Sequence, residues 1–141
     1  MFKLFRLVLL FFLLSSCLHQ ESPIESKILL NCENAKEGEC NVLLKDLIAE
    51  EWTSLYVIGG PRFSDELNSI TGSDYYFDDI PDDCRRYFFF NENLLVGRES
   101  LYARKLNYNL AFKRDGFARY SYVDTLKLMI KDTNYIVVPS K

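Results

Sequence analysis

FARYSYVDTLKLMIKDTNYIVV, residues 117–138, decides the fold class. Leu126, Leu128 and Ile130 fall on one face of an extended chain, and Lys127, Met129 and Lys131 on the other. That period of two marks a strand with one buried side. Asp132, Thr133 and Asn134 are turn formers, and residues 135–138 supply a last strand before Pro139. Upstream, residues 117–123 put Ala118, Tyr120 and Tyr122 on a common side, where aromatics at strand spacing read as core or cross-strand pairs. They follow an Asp-Gly turn signal at Asp115 and Gly116.

Further out the pattern repeats. Residues 101–112 alternate toward their end, with Tyr108, Leu110 and Phe112 on one face. Residues 86–90 and 94–96 read as strands joined at Asn91, Glu92 and Asn93, and residues 52–58 as a strand stopped by Gly59, Gly60 and Pro61. Two segments carry the helical period instead. In residues 41–51, Asn41 is an N-cap candidate, and Leu44, Leu47, Ile48 and Glu51 follow the three-four spacing. Residues 65–71 follow Ser64 as a cap, carry Asp65 and Glu66 in the first turn and stop at Gly72. The expectation is an α+β fold: two short helices packed on an antiparallel sheet of about five strands.

The N-terminus carries a different message. MFKLFRLVLLFFLLSSC, residues 1–17, has a basic head at Lys3 and Arg6, then an apolar run over residues 7–14, then small residues. This is the layout of a secretory signal. The apolar run is roughly 12 Å long as a helix, too short for a bilayer core of roughly 30 Å. Leu14, Ser15, Ser16 and Cys17 closely resemble the lipobox of bacterial lipoproteins. The resemblance implies that Cys17 receives a diacylglyceryl group and becomes the mature N-terminus, anchored to a membrane by its acyl chains. It implies a place in the cell envelope. Leu18, where Asp would stand otherwise, points to the outer membrane in a Gram-negative host. The expected organisation is a signal peptide over 1–16, a lipidated polar tether over 17–27 containing His19 and Pro23, and a single domain over 28–141.

The chain has 141 residues, 17 Lys and Arg, 20 Asp and Glu, and a formal charge of −3. Loss of Lys3 and Arg6 with the leader makes the mature protein more acidic, which argues against nucleic-acid binding. Aromatic residues make up 15% of the chain, enough to furnish strands and a packed core. After Cys17, three cysteines remain: Cys32, Cys40 and Cys84. In an oxidising compartment, Cys32 and Cys40 are the favoured disulfide, because they bracket a short polar loop with a glycine. The competing arrangement links Cys84 to one of them. No Cys-x-x-Cys pair is present and the one His is His19, so no metal site is expected.

Gly59, Gly60, Pro61 and Arg62 lie between a strand and a helix, a place where phosphate loops occur. No G-x-x-x-x-G-K-[ST] pattern is present, and a tight structural turn is expected. Residues 52–62 resemble a segment of small bacterial envelope proteins in which a strand opened by Trp ends in Gly-Pro-aromatic, with Arg62 departing from that pattern. The resemblance implies no activity. Residues 73–83 form an acidic, aromatic loop. Asp74, Tyr75, Tyr76, Phe77, Asp78 and Asp79 combine aromatic anchors with carboxylates, as suits contact with a basic protein. Asp74, Asp78, Asp79, Asp82 and Asp83 are oxygen ligands of the type calcium takes, but their spacing fits no EF-hand. Cys84 next to Arg85 and Arg86 lacks a His to act as its base, and G-x-S-x-G is missing, so no catalytic residue is assigned. The expected protein is a membrane-anchored, non-catalytic binding module that needs no cofactor, of inhibitor or immunity type or an accessory of an envelope complex. The alternative is a small periplasmic enzyme or small-ligand carrier with a pocket between sheet and helices.

Overall fold

The computed structural model describes residues 22–35, 38–101, 106–112 and 115–139. The signal peptide, Cys17 and the first part of the tether lie outside these residues. The chain is α+β. Helix α1 (Pro23–Leu30) precedes β1 (Gly38–Leu43) and a single 3-10 turn (Leu44–Asp46). Then come β2 (Ser54–Gly59), α2 (Ser64–Thr71), β3 (Arg85–Asn91) and β4 (Leu94–Leu101). The remaining strands are β5 (Leu106–Asn107), β6 (Phe117–Ser121), β7 (Thr125–Lys131) and β8 (Asn134–Val138). Among the described residues, no helix is long and apolar enough to cross a membrane.

The strands divide into two four-stranded sheets where about five in one were expected. An outer sheet runs β1-β7-β8-β5 and an inner sheet β4-β3-β2-β6. All pairs are antiparallel except β5 with β8. Two hairpins are local. Asp132 and Thr133, with φ of 48° and 66°, turn β7 into β8, the pair of left-handed residues that a tight hairpin takes. Glu92, with φ of 52°, turns β3 into β4. The other pairings are distant: β1 lies on β7, and β6 lies on β2 rather than on the segment before it.

The inner sheet is covered on both faces. Leu55 and Val57 of β2 and Tyr87 and Phe89 of β3 join Leu126, Leu128 and Ile130 of β7 in the main core, which α1 closes with Ile24 and Ile28. The intervening residues Tyr56, Ile58, Phe88 and Phe90 point the other way, onto Leu67 of α2 and onto Phe77 and Ile80. The outer sheet keeps the one-sided pattern of β7, whose burial alternates along its length.

Three expectations need correction. Residues 41–51 are not a helix. Cys40, Val42 and Leu44 alternate inward, and residues 38–43 add a strand to the free edge of β7. That pairing satisfies the backbone N–H and C=O groups which a helix would have satisfied internally. The helical spacing of Leu44, Leu47 and Ile48 reflects an irregular segment that folds over the core. Second, the expected tether does not extend to Lys27. Ser22 caps α1 by accepting from Glu25 N at 2.9 Å, Pro23 takes the first turn, and Ile24 and Glu25 are buried. Third, Tyr108, Leu110 and Phe112 do not share a strand face. Phe112 N donates to Tyr108 O at 2.9 Å, so the two rings stack one helical turn apart at 5.3 Å while Leu110 faces solvent.

The bridge forms between Cys32 and Cys40, with Cα atoms 5.7 Å apart, tying the end of α1 to β1. Cys84 is a free thiol packed with the second core, away from that bridge.

Candidate functional site

Residues 73–84 run across the inner sheet and are strapped to it. Phe77 inserts edge-on against Phe88 at 4.8 Å, and Tyr75 packs against Phe90 at 6.3 Å. The Tyr75 hydroxyl accepts from Leu95 N at 3.1 Å. Arg86, buried in β3, donates through Nη1 to Asp78 O at 2.6 Å and through Nη2 to Asp79 O at 3.4 Å. Burial pulls its guanidinium below the usual value, and the Asp78 carboxylate acts against that pull. Arg62 and Ile80 exchange both backbone hydrogen bonds, at 3.0 and 2.8 Å. Asp79 Oδ1 accepts from Ser64 N at 2.9 Å, placing a carboxylate on the exposed donors of the α2 N-terminus.

The six residues expected to form one contact loop therefore divide. Phe77 is core, Tyr75 is half-buried, and Asp79 has one oxygen engaged on α2. Tyr76 is 87% exposed, with Asp74, Asp78 and Asp79 exposed beside it in the chain. The result is a rigid edge with one projecting aromatic ring among carboxylates. Among the described residues, no three His, Cys, Asp or Glu side chains converge to hold a metal ion.

Gly59 to Arg62 form a structural turn. Gly59 N donates to Gly116 O at 3.0 Å and Gly60 N to Cys84 O at 2.9 Å, so neither donor is free for an anion. A side chain at Gly60 would collide with Pro81 O. Arg62 reaches Asp115 O and, at 3.4 Å, Glu66 Oε1, pinning the start of α2 to the turn before β6.

A second polar cluster lies inside the main core. Glu25 is 2% exposed. Its Oε1 accepts from Tyr87 Oη at 2.9 Å and lies 3.2 Å from Arg85 Nη1. Arg85 also donates to Leu106 O at 2.8 Å and stands 4.4 Å over the Tyr108 ring. Desolvation raises the Glu25 carboxyl above its ordinary value, against the pull of Tyr87 and Arg85. Burial also raises the Tyr87, Tyr108 and Tyr120 phenols, so all three stay neutral. This cluster fixes α1 against β3 and β5. Sequence reasoning missed it, although Ser22 and Glu25 stand at the S-x-x-E spacing that opens helices.

No protein-family model, curated protein or solved structure matches this chain.

Proposed function

We propose that the protein is a membrane-anchored envelope lipoprotein whose folded domain is a non-catalytic binding module for a basic protein. Cys17 carries the lipid, and the outer membrane is its location in a Gram-negative host. The partner is a basic envelope protein, for example a cell-wall hydrolase held in check, or a component of an envelope complex. One observation carries the binding part of this reading: Tyr76 projects from a loop whose other aromatics are locked into the core. A rigid aromatic anchor loses little conformational freedom on binding, and carboxylates around it steer a cationic partner.

Two measurements test it. Cells expressing the full chain are labelled with palmitate; the label should appear on the wild type and vanish with Cys17→Ser, which should also release the protein from membranes. Label persisting on Cys17→Ser would refute anchoring at that residue. The wild-type chain should recover a basic protein from envelope extract at low salt, with Tyr76→Ala losing about 2 kcal/mol or more of affinity. Recovery of no partner sinks the binding reading.

A further inference from the structure

The start of α1 is pinned to one end of the two sheets. Ser22 Oγ donates to Glu99 Oε1 at 2.7 Å and Ile24 N to Glu99 Oε2 at 3.3 Å, close to where β4 ends. Ile24 is in the main core, and Glu25 meets Arg85, the first residue of β3. The opposite end carries the β3–β4 turn, the β6–β7 turn and the segment from β1 to β2. There Ser54 pairs with Phe90 and Ser121, and Leu43 with Thr125. Leu43, Leu94, Tyr122 and Val123 are exposed at that end. Tyr75 packs on Phe90 and accepts from Leu95 N, so its neighbour Tyr76 belongs to the same half. Between Asn93 and Glu99 the chain rises roughly 20 Å. Cys17 and Ser22 are separated by residues 18–21 alone. Whatever path these take, the steps from Cys17 to Ser22 span at most roughly 18 Å, and about 12 Å on average for a flexible chain.

We propose that this short leash, lipidated at Cys17, rests the α1 end of the domain on the bilayer and turns the opposite end, with Tyr76, away from it. The inference rests on the lipoprotein reading and adds the surface that meets lipid. Length rules out the inverted pose, which lifts Ser22 roughly 20 Å above the headgroups, beyond the reach of the leash. Charge selects among the tilts that remain. Both carboxylates at the start of α1 are engaged, Glu25 by Tyr87 and Arg85, and Glu99 by Ser22 and Ile24 N. Lys27 and Arg98 are exposed beside them. Lys27 donates to Leu47 O at 2.9 Å and, as an ammonium, has further donors to give. These two cations suit headgroup phosphates. The exposed Asp74, Asp78, Asp79, Asp82 and Asp83, on the other side of the inner sheet, are repelled by an anionic leaflet. A partner of Tyr76 is therefore met above the membrane and not within it.

Methyl groups at the two ends test the orientation. The full chain is expressed with labelled Ile, Leu and Val, and the lipidated product is placed in nanodiscs of phosphatidylcholine and phosphatidylglycerol that hold a trace of gadolinium-chelate lipid. The methyl signals of Ile24, Leu106 and Leu110 should lose most of their intensity, while those of Leu43, Leu94 and Val123 keep most of theirs. An insert of about twelve Gly and Ser residues between Gln20 and Glu21 raises the average reach to roughly 22 Å and should erase most of that difference. Equal loss at both ends, stronger loss at Leu43, Leu94 and Val123, or a difference untouched by the insert overturns the proposal. The lipid itself is checked by mass spectrometry of the same product. A chain without lipid at Cys17 overturns the lipoprotein reading and the orientation with it. Lipidated protein whose two ends broaden evenly overturns the orientation alone.

Discussion

Strands β3 and β7 are both seven residues long and both lie inside their sheets, yet they are built differently. β3 buries five consecutive residues, Arg86 to Phe90; β7 buries every second one. The difference is in the number of layers. β3 has the outer sheet and α1 on one face and α2 with residues 73–84 on the other, whereas β7 shows one face to water. A continuous apolar run thus marks a strand in the middle of the molecule, and an alternating one a strand at its skin.

The contrast makes its largest prediction on β3. Phe88 and Phe89 are fully buried on opposite faces, so Phe88→Ala and Phe89→Ala should each lower the unfolding free energy by about 3–5 kcal/mol in urea titrations. Lys131→Ala, on the wet face of β7, should stay within about 0.5 kcal/mol. A Phe88→Ala variant as mild as Lys131→Ala would mean that α2 and the 73–84 loop do not cover β3. The next effect concerns the thinner, outer sheet. Its edge strand β1 is held by the Cys32–Cys40 bridge, so replacing both cysteines with Ala should cost about 2.5 kcal/mol by loop-closure entropy, read from the urea midpoint. Loss of the same size from the fully reduced wild type would confirm that the bridge, not the packing of the sulfurs, is responsible.

The smallest effect tests the seam between the sheets. The folded protein holds the Glu25 carboxyl above 4.5, so it binds this proton more tightly than the unfolded chain does. Its contribution to stability is therefore most favourable below pH 4.5, and declines as pH rises from there through the folded-state value. Glu25→Gln keeps an acceptor for Tyr87 and removes that decline. The stability of the variant relative to wild type should climb as pH rises from about 4.5 through the folded-state value, by urea unfolding at each pH. A flat difference would show that Arg85 fully offsets the burial of Glu25.

Much of this contrast was legible in the residues. The alternation of β7, the hairpin at Asp132 and Thr133, the β2 strand with its Gly-Gly-Pro stop, and the α2 segment all follow from local period and turn chemistry. The Cys32–Cys40 pairing followed from spacing. What escaped depends on partners far away in the chain. Residues 41–43 have an ambiguous period, and the vacant edge of β7, more than eighty residues on, decides for strand. Glu25 looks like a solvated residue of a tether until Arg85 and Tyr87 arrive around it. In the 73–84 loop, composition marked an aromatic and acidic stretch. Only packing against Phe88 and Phe90 separates Phe77, which is core, from Tyr76, which is surface.

The pairing of β1 with β7 joins Gly38 to Ile130, which sets the order of assembly. An edge strand near the start of the domain has no neighbour until the penultimate strand has emerged, so closure of the outer sheet is a late, high-contact-order event. During synthesis, residues 38–43 would stay unpaired until residues 125–131 have been made. Trimming even the last two strands would set the first one loose again.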